Sequence, residues 1–303
     1  MRKSKEAELS DSKDPKTLQD ADRIEFIRSD RWINYEVARD ALARLNDLLI
    51  YPPRDRMPCL LIYGATGMGK TKIIRKFVRD HAAVFDRAAG VTRMPVVSFQ
   101  MPPLPEEGPF YDELFLALGA PAQIDRTIKK TKHVCRNLLQ AAGTRMLIVD
   151  EIHSMLSGTA RAQRVFLNTL RFLANDIRIP LVCVGTDEAR MALLTDSQLA
   201  ERFDALELPR WTDDHSFERL LTSITAILPL RKFSQLNTPG CRKAILNRTD
   251  GVTTRIFRLI ESAVVEAIRD GSECITEDTL ISKNLVLPLV SMTRKTIQRA
   301  HGG

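Results

Sequence analysis

Eight consecutive residues, 64–71, carry the clearest chemical signal in the sequence: Gly-Ala-Thr-Gly-Met-Gly-Lys-Thr. They fit the spacing G-x-x-x-x-G-K-[ST], in which backbone N–H groups surround phosphate oxygens, the lysine contacts the β- and γ-phosphates and the last hydroxyl binds Mg²⁺. An apolar run over 58–63 precedes the segment and a helical pattern follows it, so a helix N-terminus would face the anion. The predicted nucleotide-binding residues are Gly64, Ala65, Thr66, Gly67, Met68, Gly69, Lys70 and Thr71.

Two adjacent carboxylates, Asp150 and Glu151, end a second apolar run, 146–149. Asp150 is predicted to bind Mg²⁺ through water, and Glu151 to polarise the water that attacks the γ-phosphate. Alone, this pattern would be typical of a strand that ends in a solvated turn. Because it lies about eighty residues after the phosphate-binding loop, it indicates the second half of an ATP-hydrolysing site.

The elements that must position these residues alternate between strand and helix patterns. Apolar runs predict core strands, and amphipathic stretches between them predict helices, as a parallel sheet requires. The predicted strands are 58–63, 94–99, 146–149, 180–185 and 205–208, and the predicted helices lie near 33–49, 110–118, 125–142 and 160–175. From Trp211 onward the pattern is mostly helical. The fold prediction is therefore α/β, a doubly wound parallel sheet with a small C-terminal helical lid domain.

Four segments are expected along the chain: a flexible N-terminal arm over 1–30, a nucleotide-binding α/β domain over 31–210, the lid over 211–280 and a basic tail over 281–303. The 303 residues are 44% hydrophobic and 27% charged, an ordinary globular mixture. We expect no membrane segment and a cytoplasmic protein. The five dispersed cysteines predict reduced thiols. The net charge of +7 permits a polyanionic partner without requiring one.

Three further polar positions give the chain a resemblance to the AAA+ ATPases. Thr186, after the fourth core strand, matches the sensor 1 position of that superfamily. Arg202, before the last strand, matches the arginine finger, and Arg255, at the start of a lid helix, matches sensor 2. An arginine finger acts on the neighbouring subunit's site, so the resemblance implies a ring or helical homo-oligomer.

Within the superfamily the chain resembles the TniB, TnsC and IstB-like transposition ATPases, and especially TniB, over roughly residues 20–270. The likeness rests on Trp-Ile-Asn-Tyr at 32–35, the phosphate-binding loop, Val-Ser-Phe-Gln-Met-Pro-Pro at 97–103, Leu-Gly-Ala-Pro at 118–121 and Ile-Val-Asp-Glu-Ile-His at 148–153. It implies ATP and Mg²⁺ as cofactors and subunits that polymerise on double-stranded DNA. The implied partners are a transposase with an Asp-Asp-Glu site and a target-selection protein.

Trp32 and Tyr35 would then lie near the adenine, where ring stacking is favourable, or would simply pack the first helix.

Two basic clusters are candidate DNA contacts. Lys129, Lys132 and Arg136 follow one helical face opposite an apolar face, and Arg161 with Arg164 follows the acidic segment. The same patterns are typical of solvated helix surfaces. Basic residues in the tail, among them Lys283, Arg294, Lys295 and Arg299, would lie on DNA, hold a partner or merely solubilise the chain.

Two other functions remain open. A replication initiator or helicase loader of the same superfamily would require a DNA-binding domain after the lid, for which the residues that follow Asp278 are few. A secretion or signalling ATPase would act on a protein partner and would require a transmembrane or repeat module, which we expect only if another chain supplies it.

Overall fold

The computed structural model describes residues 14–120, 127–282 and 285. The chain divides into two compact units. Residues 36–209 form the sheet unit. Residues 1–35 and 210–303 form the helical unit, of which 14–35, 210–282 and 285 are described.

The described ranges contain seven strands, and helices separate most of them. The strands are β1 (Cys59–Tyr63), β2 (Val84–Asp86), β3 (Val91–Arg93), β4 (Val96–Gln100), β5 (Met146–Asp150), β6 (Leu181–Gly185) and β7 (Phe203–Glu207). The helices are α1 (Asp20–Arg28), α2 (Glu36–Leu49), α3 (Lys70–Asp80), α4 (Glu107–Ala117), α5 (Ile128–Ala141), α6 (Ala160–Asp176), α7 (Asp187–Leu194), α8 (Ser197–Ala200), α9 (His215–Ala226), α10 (Pro239–Thr249), α11 (Thr253–Arg269) and α12 (Glu277–Ile281), with a 3-10 segment over Ile152–Ser157.

A five-stranded parallel sheet forms the centre of the sheet unit, in the order β4-β5-β6-β1-β7. β5 and β6 are buried along their whole length, because nearly all their residues are apolar and helices cover both faces of a parallel sheet. β2 and β3 form a separate antiparallel hairpin, on which Val84 and Phe85 are exposed. The prediction of an α/β protein built on a parallel sheet is confirmed.

Aromatic rings pack one side of this sheet. Phe110 of α4 makes edge-to-face contacts with Phe99 of β4 and Phe166 of α6, at ring-centroid distances of 5.1 and 5.3 Å. Such pairs add about 0.5–1.5 kcal/mol beyond the area that they bury. They fix α4 and α6 against the strand edge from which the acidic segment of β5 emerges.

The helical unit has its own apolar core, formed mainly by α9, α10 and α11. Each of α9, α10 and α12 begins at a side-chain cap: the oxygens of Asp214, Thr238 and Thr276 accept hydrogen bonds from backbone N–H groups in the first turn. α11 buries nine residues, from Thr253 to Ile268, so it is the central helix of the unit.

α1 belongs to this unit through a buried ion pair. The side chain of Arg23 is fully buried and donates to both carboxylate oxygens of Glu273, each at 2.7 Å, and to the Pro229 carbonyl at 3.0 Å. Asp20 accepts a further hydrogen bond of 2.7 Å from the same guanidinium. α1 also packs against α11, where Arg28 and Glu261 form an ion pair.

The N-terminal segment therefore differs from the expected flexible arm over residues 1–30. Residues 20–28 are helical and pack with the C-terminal helices, because the buried Arg23 and the partly buried Ile24 and Ile27 attach them. The described helix near 125–142 begins at Ile128, and residues 121–126 lie outside the described ranges. So does the predicted basic tail, apart from residues 281, 282 and 285.

Replacing Arg23 by alanine should lower the free energy of unfolding by about 3–5 kcal/mol, because the change leaves the buried Glu273 carboxylate without its main partner. Urea unfolding followed by circular dichroism measures this. Arg258→Ala on the exposed face of α11 is the control and should change stability by less than about 0.5 kcal/mol. Equal effects of the two variants would contradict the assignment.

The same pair predicts a pH dependence of stability. The Arg23 hydrogen bond holds the pKa of Glu273 below its ordinary value, against the opposing effect of burial. A lowered pKa stabilises the fold at neutral pH, and this contribution is lost as the pH falls below about 4.3 and through the folded-state pKa. The stability difference between the wild type and Arg23→Ala should therefore shrink on acidification. An unchanged difference between pH 7 and about pH 3 would exclude the ion pair as its source.

Candidate nucleotide-binding site

Three neighbouring strands bring the sequence-predicted residues to one edge of the sheet. β6 lies between β5 and β1, and all three are parallel, so their carboxyl ends share that edge. Residues 64–69 follow β1, Thr186 follows β6, and Asp150 ends β5 with Glu151 directly after it. Ligands of open α/β sheets bind at this edge.

The loop after β1 depends on glycine at two positions. A Cβ atom on Gly64 would lie 2.5 Å from the Leu208 carbonyl oxygen, and the φ angle of Gly64 is +151°. Gly69 has φ +89° and caps α3 without a side chain. The backbone can therefore turn closely from β1 into α3, as a loop that surrounds phosphate oxygens must.

Lys70 begins α3 and is buried, with its ammonium group turned toward the loop. Nζ donates to the carbonyl oxygens of Gly64 at 2.8 Å and Ala65 at 2.9 Å. Burial lowers the pKa of Lys70, and the carboxylates of Glu151, Asp150 and Glu188 oppose that shift. A phosphate at the loop would offer this cation a charged partner in place of two neutral carbonyls. Thr71, the next residue, is half-buried in the first turn of α3.

The acidic pair differs in burial and in backbone conformation. Asp150 is buried, and its Oδ1 accepts the Glu151 N–H at 2.8 Å. Glu151 has φ +55°, in the left-handed region that non-glycine residues seldom adopt. Its Oε2 lies 3.1 Å from Nε2 of His153. The two carboxylates thus leave the strand in different settings, as separate metal-binding and water-activating roles would require.

Two site residues were missed by sequence reasoning: His153 and Glu188. The Thr186 hydroxyl beside the Glu188 side chain is the largest cause of a lowered Glu188 pKa. Each of the two lies two positions after a predicted site residue. This spacing could have drawn attention to them, but it does not show which group each one contacts. Only the fold shows that His153 and Glu188 contact the groups already singled out.

Comparison with known families decides the class of this site. The family model described as "Bacterial TniB protein" matches residues 23–213. The chain belongs to the TniB family. A comparison with curated proteins finds no match.

Solved structures show the fold of this TniB-family chain. It is similar to the ORC2 protein of Aeropyrum pernix in ADPNP–ADP complexes, with 20% identity, 84% of this chain and 70% of that chain covered, and a TM-score of 0.58. The chain is also similar to the ORC1 protein of Aeropyrum pernix in complex with DNA, with 15% identity, 91% of this chain and 69% of that chain covered, and a TM-score of 0.59. For CDC6P from Pyrobaculum aerophilum the identity is 16%, the coverage is 85% of this chain and 68% of that chain, and the TM-score is 0.59. The fold is that of the AAA+ P-loop proteins, and the chain is an AAA+ ATPase.

Arg202, the predicted arginine finger, lies at the opposite edge of the sheet from the loop. Its carbonyl accepts the N–H of Cys59, the first residue of β1, while the loop follows the last residue of that strand. Five strand residues span about 16 Å, farther than an arginine side chain reaches. Its Nη1 donates to the Ala174 carbonyl at 3.1 Å, near the C-terminal end of α6, where the helix dipole also stabilises a cation. Within its own chain Arg202 therefore caps α6 and does not reach the loop.

The sensor 2 candidate and the predicted adenine contacts all lie in the helical unit. Arg255 donates to Asp250 Oδ2 at 2.7 Å. Tyr35 packs edge-to-face on Trp211 at 5.4 Å, and burial raises its pKa to about 12. Trp32 is partly exposed, and its indole N–H donates to the Asn34 side chain at 3.0 Å. The ring contact of Tyr35 is thus with Trp211. The adenine contacts of Trp32 and Tyr35 and their packing on the first helix stay predictions.

The two basic clusters differ in how their charges are engaged. Lys132 donates to Glu107 at 2.8 Å, and Arg136 pairs with Asp176 at 3.0 Å. Lys129 is exposed, as are Arg161 and Arg164, and none of these three forms an ion pair within the described ranges. Of these five candidate residues, Lys129, Arg161 and Arg164 are thus available to a polyanion, whereas Lys132 and Arg136 are already paired.

The donor set at the sheet edge fits Mg²⁺ held together with a nucleotide. The part of the chain that the structure describes holds no cluster of three or more His, Cys, Asp or Glu side chains suited to a metal. Mg²⁺ needs no such cluster, because it keeps several waters and takes one or two protein oxygens plus substrate phosphates. The Thr71 hydroxyl and the buried Asp150 carboxylate would supply those oxygens.

No helix within the described ranges is long and apolar enough to cross a membrane.

Replacing Gly64 by alanine should weaken nucleotide binding at least about tenfold, because the new Cβ would meet the Leu208 backbone and strained backbone costs about 1–3 kcal/mol. Titration with a fluorescent ATP analogue measures the affinity. Gly108→Ala is the matched control, since a Cβ there meets nothing within 4 Å. Wild-type affinity in Gly64→Ala would contradict the predicted role of the loop.

Proposed function

We propose that this TniB-family ATPase regulates transposition: it binds ATP, assembles on double-stranded DNA and recruits or activates a transposase with an Asp-Asp-Glu site, with a target-selection protein as a further partner. The observation that carries the proposal is the TniB family match over the same residues that form the ATPase edge of the sheet. The finer site assignments below belong to the proposal.

At the sheet edge, Lys70 and the loop N–H groups bind the phosphates, and Thr71 with Asp150 would hold Mg²⁺. When bound there, Mg²⁺ would supply positive charge next to the phosphate oxygens. Glu151 accepts a hydrogen bond from the attacking water, and the Thr186 hydroxyl orients that water from the adjacent strand. Because phosphoryl transfer depends on position and charge, these side chains need only be held in place.

Completion of the site requires a second subunit. Arg202 lies about one strand length from the loop of its own chain, so it acts on ATP only in a neighbouring subunit. To do so its guanidinium exchanges the neutral Ala174 carbonyl for a phosphate, a charge-assisted and stronger hydrogen bond. Arg255 would likewise exchange Asp250 for the γ-phosphate. ATP thereby favours an oligomer, and hydrolysis releases it.

The DNA part of the proposal rests on charge and on the exposed arginines of α6. The chain carries a formal charge of +7, and Arg161 and Arg164 lie one turn apart on α6. Contacts of this kind go to phosphates and read no sequence. A replication-initiator role is the second candidate, favoured by the similarity to ORC1 solved in complex with DNA. It predicts a strong preference for one DNA sequence, whereas the transposition regulator tolerates many.

Arg202→Ala should reduce the rate of ATP hydrolysis at least about 100-fold, while Lys70→Ala should abolish nucleotide binding. An equimolar mixture of the two inactive variants should recover part of the activity, because a Lys70→Ala subunit can supply its intact Arg202 to a neighbour that binds ATP. Phosphate release measures the rate, with each variant alone as control. A mixture no more active than its components would overturn the shared site.

DNA binding should require ATP and should fall steeply with salt, because each neutralised phosphate contributes about −0.9 to the slope of log K against log salt. Arg161→Ala and Arg164→Ala should each reduce that slope by about 1, whereas Lys132→Ala, which removes an ion-paired lysine, should not. Fluorescence anisotropy on duplexes of two unrelated sequences measures binding. A flat salt response would contradict the assignment of DNA contacts to α6.

Glu151→Gln should prolong the DNA-bound state, which the same anisotropy measurement follows over time.

A further inference from the structure

His153 is held at the ATPase edge by the close packing of the 3-10 segment Ile152–Ser157 on β6. A Cβ on Gly185, the last residue of β6, would lie 2.8 Å from Ile152 Cγ2 and 3.0 Å from Ala189 Cβ. The side chains of Ile152 and Met155 are buried. The absence of a side chain at Gly185 thus lets the segment lie directly on the strand end, which fixes the backbone of His153.

Within the described ranges, the His153 side chain is paired with Glu151. Nε2 lies 3.1 Å from Glu151 Oε2, which is the distance of an ion pair. The two atoms do not meet the angle of a hydrogen bond, so the ring acts on the carboxylate as a close polar neighbour rather than through an aligned N–H. The second ring nitrogen, Nδ1, is buried and has no hydrogen-bond partner among the described residues. A buried ring nitrogen without a partner is unfavourable, so the surroundings hold this ring in place despite it.

The contact acts on one half of the carboxylate. Terminal carboxylate torsions are broad and roughly two-fold, so an isolated glutamate samples many orientations. A ring nitrogen 3.1 Å from Oε2 restricts that rotation and leaves Oε1 to accept from another group. The backbone of Glu151 also takes the left-handed conformation, so its side chain starts from a fixed and unusual direction.

We propose that His153 is a positioning residue for ATP hydrolysis, whose imidazole ring lies against Oε2 of Glu151 so that Oε1 faces the attacking water. The inference rests on the proposed role of Glu151. His153 touches neither phosphate nor water in this scheme and acts only through the carboxylate. Its loss therefore reduces the rate of the chemical step and leaves nucleotide affinity intact.

An ordinary surface ion pair is the alternative reading, and such pairs contribute little. The helical unit supplies the matched case: Nδ1 of His215 lies 3.1 Å from Glu218 Oε2, and the His215 side chain is 94% exposed. The same pair of residue types at the same distance therefore occurs once at the ATPase edge and once on α9. Substituting each histidine in turn therefore tests whether the effect depends on the location beside Glu151 or merely on losing a histidine–glutamate pair.

The experiment measures steady-state ATP hydrolysis and nucleotide affinity for His153→Leu, His153→Gln and His215→Leu. His153→Leu should lower kcat roughly 10- to 100-fold, with KM and the nucleotide Kd within about twofold of the wild type. His153→Gln should recover most of kcat, because its amide N–H can reach the carboxylate. His215→Leu should hydrolyse ATP at the wild-type rate. The double variant Glu151→Gln, His153→Leu should be no slower than Glu151→Gln alone.

Each contrary result has a distinct meaning. An unchanged or raised kcat in His153→Leu, with Glu151→Gln inactive, overturns the positioning role and leaves the role of Glu151 standing. A parallel loss of kcat and affinity, unrescued by glutamine, also overturns it, since the histidine would then only support the fold. Full activity in Glu151→Gln overturns the proposed role of Glu151 and the positioning role together.

Discussion

The parallel pairing of β5, β6 and β1 is the constraint on which the rest of the structure depends. Their carboxyl ends share one edge only while the three strands keep this order and direction. A loop with glycines, a buried aspartate and a threonine, which are distant in the sequence, then face the same region. The aromatic contacts of Phe110 and the close packing over Gly185 serve mainly to hold that edge in register.

The charged groups at the carboxyl ends of β1 and β5 are engaged by neighbours in the chain. Lys70 donates to two carbonyls, Asp150 accepts the Glu151 N–H, and Glu151 contacts His153. Unpartnered buried charges are strongly unfavourable, so these contacts keep the site compatible with folding. They also define its chemistry. Each group can act on a nucleotide only by exchanging one partner for another, so the affinity for ATP is a difference between two sets of hydrogen bonds.

The sequence was sufficient for the parts of the fold that are periodic. Apolar runs located β1, β4, β5, β6 and β7, and the spacing of residues 64–71 located the loop. The β2–β3 hairpin was missed because its residues are mostly exposed and show no apolar alternation. α1 was taken for a flexible arm because its one fully buried residue is an arginine, which no hydrophobic pattern reveals. The His153 and Glu188 contacts required three dimensions, since neighbours in sequence need not touch.

The Arg23–Glu273 contact joins residues 250 positions apart, and it makes the order of synthesis matter. Ribosomes add about 5–20 residues per second, so α1 leaves the ribosome roughly 12–50 s before the helices that bury its arginine exist. The sheet unit can be complete in the meantime, whereas α1 cannot bury its arginine until Glu273 has been made. A nascent chain thus has its phosphate-binding loop well before it has Arg255, and residues made about 250 positions after α1 determine when α1 becomes attached.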